Sequence, residues 1–366
     1  MRYLLVLTWL VAACNTRLSV ECSDTTDCDT HAGGVCMTAE TGHRWCSYAD
    51  ASCASGLRYS EQQVGDGVAG TCVPANSPVD AGVDAEIKMM TPPRSCLALE
   101  PTCTGNTDCC ASLQVPSGSY ARSYDVAGDV SSGNTMFPAT VSKFRLDKYE
   151  VTVGRFRAFV VAGMGIQASA PASGMGKHPA IAQSGWDDAW NGNLLVSTPE
   201  LATALRCDAF ATWTDTLAAN EHRPINCVSW YEAMAFCIWD GGYLPTEAEW
   251  NYVTAGGDEQ RAYPWSTPAG SLLLDNTHAS YHDGMNCVGD GQPGCALTDI
   301  AAVGSKSAGD GRWGHSDLAG NVYEWTLDWY ATYDKACVDC AHLAPVSDSR
   351  VIRGGAFDIG VGSLRD

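Results

Sequence analysis

RPINCVSWYEAMAFCIWDGGYLPTEAEWNYVTAGG, residues 223–257, carries two helices together with their start and stop signals. Ser229-Trp230-Tyr231-Glu232 has capping-box spacing: a hydroxyl at the N-cap and a carboxylate three residues on satisfy each other's backbone donors. Trp230, Ala233, Met234, Cys237 and Ile238 then recur at three- and four-residue steps, which puts them on one buried face. Gly241 supplies the left-handed stop. After Pro245 the device repeats in Thr246-Glu247-Ala248-Glu249, and Gly256-Gly257 ends the second helix.

Working outward, Thr152 caps an earlier helix with Phe156, Phe159 and Val160 on one face, closed by Gly163. SKFRLDKYEV, just before it, is extended in character. Downstream, Tyr323, Trp325, Leu327 and Trp329 alternate with Val322, Glu324, Thr326 and Asp328, the period of a strand. Between Gly256 and Gly320 turn residues dominate. Helices and strands without a βαβ alternation give an α+β domain with much irregular structure.

Composition narrows the function. The chain has 366 residues, 12 tryptophans, 37 glycines and a formal net charge of −20. That charge argues against nucleic-acid binding, which needs a basic patch, and disfavours docking on anionic lipid. It is compatible with Ca²⁺. The opening MRYLLVLTWLVAAC has one Arg and a short apolar run closing on small residues before Cys14, and it resembles a bacterial lipoprotein signal. The resemblance implies a signal peptide over 1–13, cleavage before Cys14 and lipidation of Cys14; the alternative is secretion with cleavage nearby. Either reading takes the chain out of the cytoplasm, to the cell envelope on a lipid anchor or to the exterior. No later stretch is of membrane-spanning character, so the membrane enters only through that anchor.

Export makes the 18 cysteines candidates for disulfides. Residues 14–72 hold Cys22, Cys28, Cys36, Cys46, Cys53 and Cys72, a stapled module whose pairing the sequence leaves open among 15 arrangements. Zinc is the lesser reading there, because no C-x2-C occurs. Residues 73–94 read as an exposed linker rich in Pro, Ala, Asp and Gly. Residues 95–112 hold Cys96, Cys103, Cys109 and Cys110, a small staple in which adjacent Cys109 and Cys110 pair elsewhere rather than with each other. The main domain is 113–366. Its seven cysteines, Cys207, Cys227, Cys237, Cys287, Cys295, Cys337 and Cys340, are an odd count that calls for a free thiol or a missing partner.

VPSGSY (115–120), FRLDKYEVTVGRFRAFV (144–160), the opening stretch, YPWS (263–266), GRWGHSDLAGNVYEWTLDWY (311–330) and RVIRGG (350–355) occur in this order. LPTEAEW with DLAGNVYEW is highly specific, and the domain resembles the formylglycine-generating enzyme, or sulfatase-modifying factor, family from about Val115 onward. The resemblance implies a C-type-lectin-related fold. It implies, in catalytic members, oxidation of a substrate cysteine by copper and oxygen at two cysteines shortly after the GG turn. Those positions are Ile359 and Leu364 here, and a nearby family serine falls on Ala356. Hydrocarbon offers no lone pair to Cu(I), which wants thiolate. Copper is therefore not expected, and no catalytic residue is assigned. The family also implies a later Gly-Phe-Arg-Cys ending whose cysteine pairs with the one matching Cys237, so the expectation is a domain truncated at its C-terminus; the alternative is a free, buried Cys237.

The resemblance further implies Ca²⁺ at Gly320-Asn321-Val322-Tyr323-Glu324, through Asn321, Glu324 and carbonyls near Gly320 and Val322, where oxygen donors suit a hard cation. The alternative is a turn feeding a strand with a solvated Glu. A second family calcium site falls on Asn276-Thr277. Other groupings read as structure: His278 and His282 as surface histidines, Cys337 and Cys340 as structural disulfides to each other or to neighbours such as Cys287 and Cys295, with Cys287–Cys295 closing its own loop as the simpler alternative, Glu247 and Glu249 as caps, the tryptophans as core. The functional reading is an exported, non-catalytic binding or accessory module for a surface ligand or protein. Its rival is a formylglycine-generating oxidase or related oxidoreductase acting on a cysteine in a protein substrate.

Overall fold

The computed structural model describes residues 10–11, 14–16, 22, 28, 35–39, 43–60, 68, 70–74, 93–97, 108–128, 135–333 and 337–365. The strands in chain order are β1 (Leu10–Val11), β2 (Asn15–Thr16), β3 (Val35–Thr38), β4 (Arg44–Ala49), β5 (Leu57–Tyr59), β6 (Ser112–Val115), β7 (Gly118–Ala121), β8 (Pro138–Val141), β9 (Phe144–Asp147), β10 (Gly242–Tyr243), β11 (Tyr323–Trp329), β12 (Cys337–Val338) and β13 (Arg350–Arg353). The helices are α1 (Val153–Val161), α2 (Thr198–Ala204), α3 (Trp230–Trp239) and α4 (Glu247–Thr254). None among the described residues is long and apolar enough to cross a membrane. The chain forms two compact units, Arg17–Pro93 and the remainder, Met1–Thr16 with Arg94–Asp366.

The smaller unit is an antiparallel β3-β4-β5 sheet with Cys36 opposite Cys46. Disulfides Cys22–Cys36, Cys28–Cys46 and Cys53–Cys72 choose the pairing that the sequence leaves open. Met37, Trp45, Tyr59 and Val73 form its small core. Val73 therefore belongs to the module rather than to a linker beginning at 73; residues 75–92 of that linker, and Cys103 of the staple, lie outside the described residues. Within the staple, Cys96 bonds Cys110, and Cys109 is disulfide-bonded separately, as its adjacency to Cys110 requires.

In the larger unit α1 and α3 pack Phe156, Phe159 and Phe236 in mutual ring contact, with Trp186, Trp230 and Leu201 around them. Both capping boxes form: Ser229 with Glu232 and Thr246 with Glu249. Gly241 and Gly256 take φ of +96° and +62°, which ends each helix in the left-handed region where a side chain is disfavoured. The tryptophans line the core: Trp186, Trp213 and Trp250 are buried. Strand β11 turns the opposite way from a simple apolar-in pattern. Glu324, Thr326 and Asp328 face inward while Tyr323, Trp325 and Trp329 are half-buried. The buried acids are used: Asp328 accepts the backbone N–H of Glu247 at 2.8 Å and of His342 at 2.7 Å, and so holds the start of α4.

Two expectations are corrected in the core. Cys14 is 1% exposed and its sulfur is bonded to Cys237, while its carbonyl accepts the Asp147 N–H at 3.0 Å. A sulfur in a disulfide has no valence left for a lipid thioether, so Cys14 is not a lipidation site in this structure, and it belongs to the larger unit rather than to a 14–72 module. The same bond supplies the eighth cysteine that the count of seven lacked, and Cys237 is not free. Strand β2 lies between β9 and β10 in a sheet of order β10-β2-β9-β6. Beneath this sheet, Arg155 of α1 is fully buried and bridges Asp147 of β9 at 2.8 Å and Asp240 at 2.6 Å, with Ser95 on its Nε at 2.9 Å.

Candidate functional site

Strand β13 pairs antiparallel with β11, Ile352 opposite Trp325, and runs into Gly354 and Gly355 with φ of +88° and +78°. A Cβ on Gly355 would lie 2.8 Å from Leu364 Cδ2 and 2.9 Å from the Ser363 carbonyl. Glycine lets the chain double back so that 356–365 folds over the bend. Ala356 and Phe357 are fully buried. Ile359 is half-buried, and its carbonyl accepts the His282 N–H at 3.0 Å. Leu364 is 4% exposed and packs with Tyr263, Ala279, Tyr281 and Ala319. The cavity beside the bend, between Trp250, Thr254, Tyr263, Leu318 and Leu364, is about 10 Å³. That is room for one water and no more. All described cysteines are disulfide-bonded. No thiolate faces this bend from elsewhere in the described residues, and the residues present do not fit a copper ion.

Directly behind the bend stands a buried acidic group. The Gly320 N–H donates to the Gly354 carbonyl at 2.7 Å, and the Phe357 N–H to the Asn321 carbonyl at 2.9 Å. Gly320 itself has φ of +84°, with the Ser280 carbonyl 2.1 Å from where a Cβ would sit. Glu150, Asp317 and Glu324 are 2%, 7% and 2% exposed. Burial, then the charges of Asp317 and Glu324, push the Glu150 carboxyl well above the usual range. Burial pushes Asp317 up to about 7, against the hydrogen bond its carboxylate accepts from the Gly304 N–H at 2.6 Å.

The sequence motif is placed differently from its expected role. The Asn321 side-chain oxygen accepts the Ala301 N–H at 2.8 Å, and its amide donates to Glu150 at 2.6 Å. Asn321 holds Glu150 in position, together with the Val322 N–H at 3.3 Å. The three carboxylates are not all within 4.8 Å of one another; among the described residues only Cys22, Cys28 and Cys46 meet that test, and their sulfurs are in disulfides. Glu150 and Asp317 were missed in the sequence because each reads as a turn or strand-end acid. The available signal was an ionisable residue inside an otherwise apolar motif, KYEV and SDLAG.

Asn276 is corrected. Its carbonyl accepts the Lys306 ammonium at 2.6 Å, and so does the Gly289 carbonyl at 2.6 Å. Asp290, Asp299 and Asp317 supply opposite charge to this half-buried ammonium. A built-in cation occupies the place that the sequence assigned to a metal. His278 is tied to Asp275 at 2.8 Å, and His282 accepts the Gly284 N–H at 3.1 Å; neither converges on a shared point. Cys287–Cys295 and Cys337–Cys340 are structural bridges as expected.

With this geometry in hand, comparison places the chain among known proteins. A family model described as sulfatase-modifying factor enzyme 1-like domain matches residues 100–366. The formylglycine-generating enzyme of Streptomyces coelicolor is 29% identical over 269 residues, covering 67% of this chain and 78% of that protein. The inactive C-alpha-formylglycine-generating enzyme 2 of Bos taurus is 31% identical over 134 residues, 37% of this chain and 38% of that protein. The solved structure of Treponema denticola variable protein 1 aligns with a TM-score of 0.36 at 19% identity, over 69% of this chain and 86% of that one.

Proposed function

The chain belongs to the sulfatase-modifying factor enzyme 1-like domain family, and on that premise we propose that it is a non-catalytic binding or accessory module built on a lectin-related scaffold. One observation carries the reading: Ile359 and Leu364 put hydrocarbon where copper-using relatives place two thiolates, and the described cysteines are all committed to disulfides. Soft Cu(I) has no donor there. A relative named as inactive supports the view that this family includes members without the oxidase chemistry. The density of disulfides supports function outside the cytoplasm. The net charge of −20 supports a partner that is not nucleic acid.

Ca²⁺ is the proposed cofactor, in a structural role, with Glu150, Asp317, Glu324 and the carbonyls of Gly320 and Val322 as its donors. Hard oxygen donors suit it, with waters completing the six to eight that it takes, and buried carboxylates that repel one another gain from a dication. The function is tested with the purified chain by competing a chromogenic Cu(I) chelator against it and following oxygen uptake with a cysteine-containing peptide. No stoichiometric copper binding and no oxygen uptake are expected. Tight binding of one Cu(I) with oxygen consumption would establish the oxidase reading instead. Calcium is tested separately by titration calorimetry on the chelator-treated chain, with Glu150→Gln as the control that abolishes the heat.

A further inference from the structure

Bracing does not exhaust the Cys337–Cys340 bridge. It closes a sequence separation of 3, the shortest among the bridges with both ends described, so opening it releases the least chain. The segment that carries both sulfurs is also fixed without it. Strand β12 pairs parallel with β8, Cys337 opposite Ala139 and Val338 opposite Thr140. Asp339 donates its N–H to the Thr140 carbonyl at 2.9 Å, and its carboxylate accepts the Ser142 N–H at 2.6 Å and the Ser142 hydroxyl at 2.7 Å. These bonds hold the two sulfurs side by side whether they are joined or carry hydrogen.

The two sulfurs have different surroundings. Cys337 is 4% exposed and packs with Ala139 and Val141, whereas Cys340 is half-buried at the edge of that cluster. Arg122, directly after β7, is buried and sets its Nη1 3.8 Å from Cys340 Sγ; its guanidinium lies over the Tyr333 ring, 4.4 Å from the ring centre. A buried cation against a sulfur favours its thiolate, the part that a helix N-terminus plays in other C-x2-C sites. The neighbouring carboxylate, Asp339, does not oppose it at close range, because both its oxygens are turned to Ser142.

We propose that Cys337–Cys340 is a thiol–disulfide exchange site that takes two electrons from a dithiol on a peptide or protein. In the first step a substrate thiolate attacks Cys340 Sγ, the more accessible sulfur. The Cys337–Cys340 bond breaks, and Cys337 leaves with the electron pair and takes up the proton that the substrate thiol gave up. In the second step the other substrate thiol loses its proton to water and attacks the substrate sulfur of the mixed disulfide; Cys340 leaves as a thiolate beside Arg122. The substrate ends as a disulfide and Cys337 with Cys340 as the reduced pair, so the exchange balances without a further oxidant. The inference stands apart from the binding-module reading, and the copper and oxygen assay does not bear on it.

The test uses the full, disulfide-bonded chain and a peptide carrying two cysteines as the dithiol. Samples are quenched with iodoacetamide at intervals, and peptide mass spectrometry reads the labelling of every bridge in the same sample. Cys337 and Cys340 should be labelled together, with one peptide disulfide formed per bridge opened and no loss of far-ultraviolet dichroism. They should open at least about fivefold faster than Cys287–Cys295, although Cys295 is the more exposed sulfur, which separates activation from mere access. Arg122→Met should slow the opening by at least about fivefold, and Arg122→Lys should restore most of the rate. Opening no faster than that of Cys287–Cys295, opening only with loss of structure, or an unchanged rate in folded Arg122→Met overturns the proposal. Should Arg122→Met fail to fold, the comparison of the two bridges in the unaltered chain decides alone.

Discussion

Replacing Arg155 with Met should show how much of this fold rests on one buried ion triad. Arg155 has no exposed surface, and its side chain joins α1 to Asp147 of β9 and to Asp240 after α3. The Ser95 N–H and hydroxyl also lean on Asp240, at 2.6 Å and 3.0 Å, so the triad ties the segment after residue 93 to the core. Methionine fills similar space and leaves two buried carboxylates without their cation. Removing one partner of a buried pair costs about 3–5 kcal/mol, because the orphaned charge keeps its desolvation penalty. With a urea slope of about 2–3 kcal/mol per molar, the midpoint should fall by about 1–2 M. The loss should also depend on pH. Burial pushes Asp147 up to about 6, opposed by Arg155. A carboxyl with a raised folded-state value gains stability as pH falls through that value, and without Arg155 the value rises further. The penalty of Arg155→Met should therefore be largest at pH 8 and smaller at pH 5. Urea unfolding followed by tryptophan fluorescence at both pH values checks this. A midpoint shift under about 0.3 M, or a penalty that grows on acidification, would refute the account of the triad as a compensated charge cluster.

Cys14→Ser with Cys237→Ser should lower stability by about 5 kcal/mol in the chain-entropy model, since the bond closes a sequence separation of 223 residues; thermal unfolding with and without reductant measures it. Lys306→Met should loosen the 287–295 loop and cost about 1–3 kcal/mol, because the carbonyls of Asn276 and Gly289 lose a charged donor, read as faster amide exchange in that loop. Ile359→Cys with Leu364→Cys restores sulfur beside the Gly354-Gly355 bend and should confer measurable Cu(I) binding on a chain that otherwise has none, checked by the same chelator competition.

The local signals in the sequence were legible because each is complete within a few residues. Ser229 and Thr246 need only a glutamate three positions on, and Gly241 and Gly256 need only their own φ. The short bridges, Cys287–Cys295 and Cys337–Cys340, follow from proximity along the chain. What was hidden is non-local. The small β3-β4-β5 sheet is tied by Cys22–Cys36, Cys28–Cys46 and Cys53–Cys72 to segments outside its strands, pairings that spacing along the chain leaves open. Strand β11 has the period of a strand, but period alone does not say that Glu324 and Asp328 face inward, since their reasons for burial, the acidic group and the start of α4, come from other segments. Asn321 looked like a ligand because the motif puts an amide beside a carboxylate; the Ala301 N–H that occupies it lies 20 residues away. Lys306 offers no signal, being a lone lysine in a turn-rich run.

The place of β2 between β9 and β10 has a consequence for the order of events during biosynthesis. Strands β9 and β10 are joined in that sheet only through Asn15–Thr16, so the layer lacks its β10 edge until Tyr243 has been made. Cys14 likewise waits for Cys237 while twelve other thiols emerge in between. Closing so long a loop is slow, and a thiol kept waiting is exposed to the wrong partner. Maturation of this protein should thus depend on disulfide exchange: the first cysteine made among these pairs is among the last to find its mate.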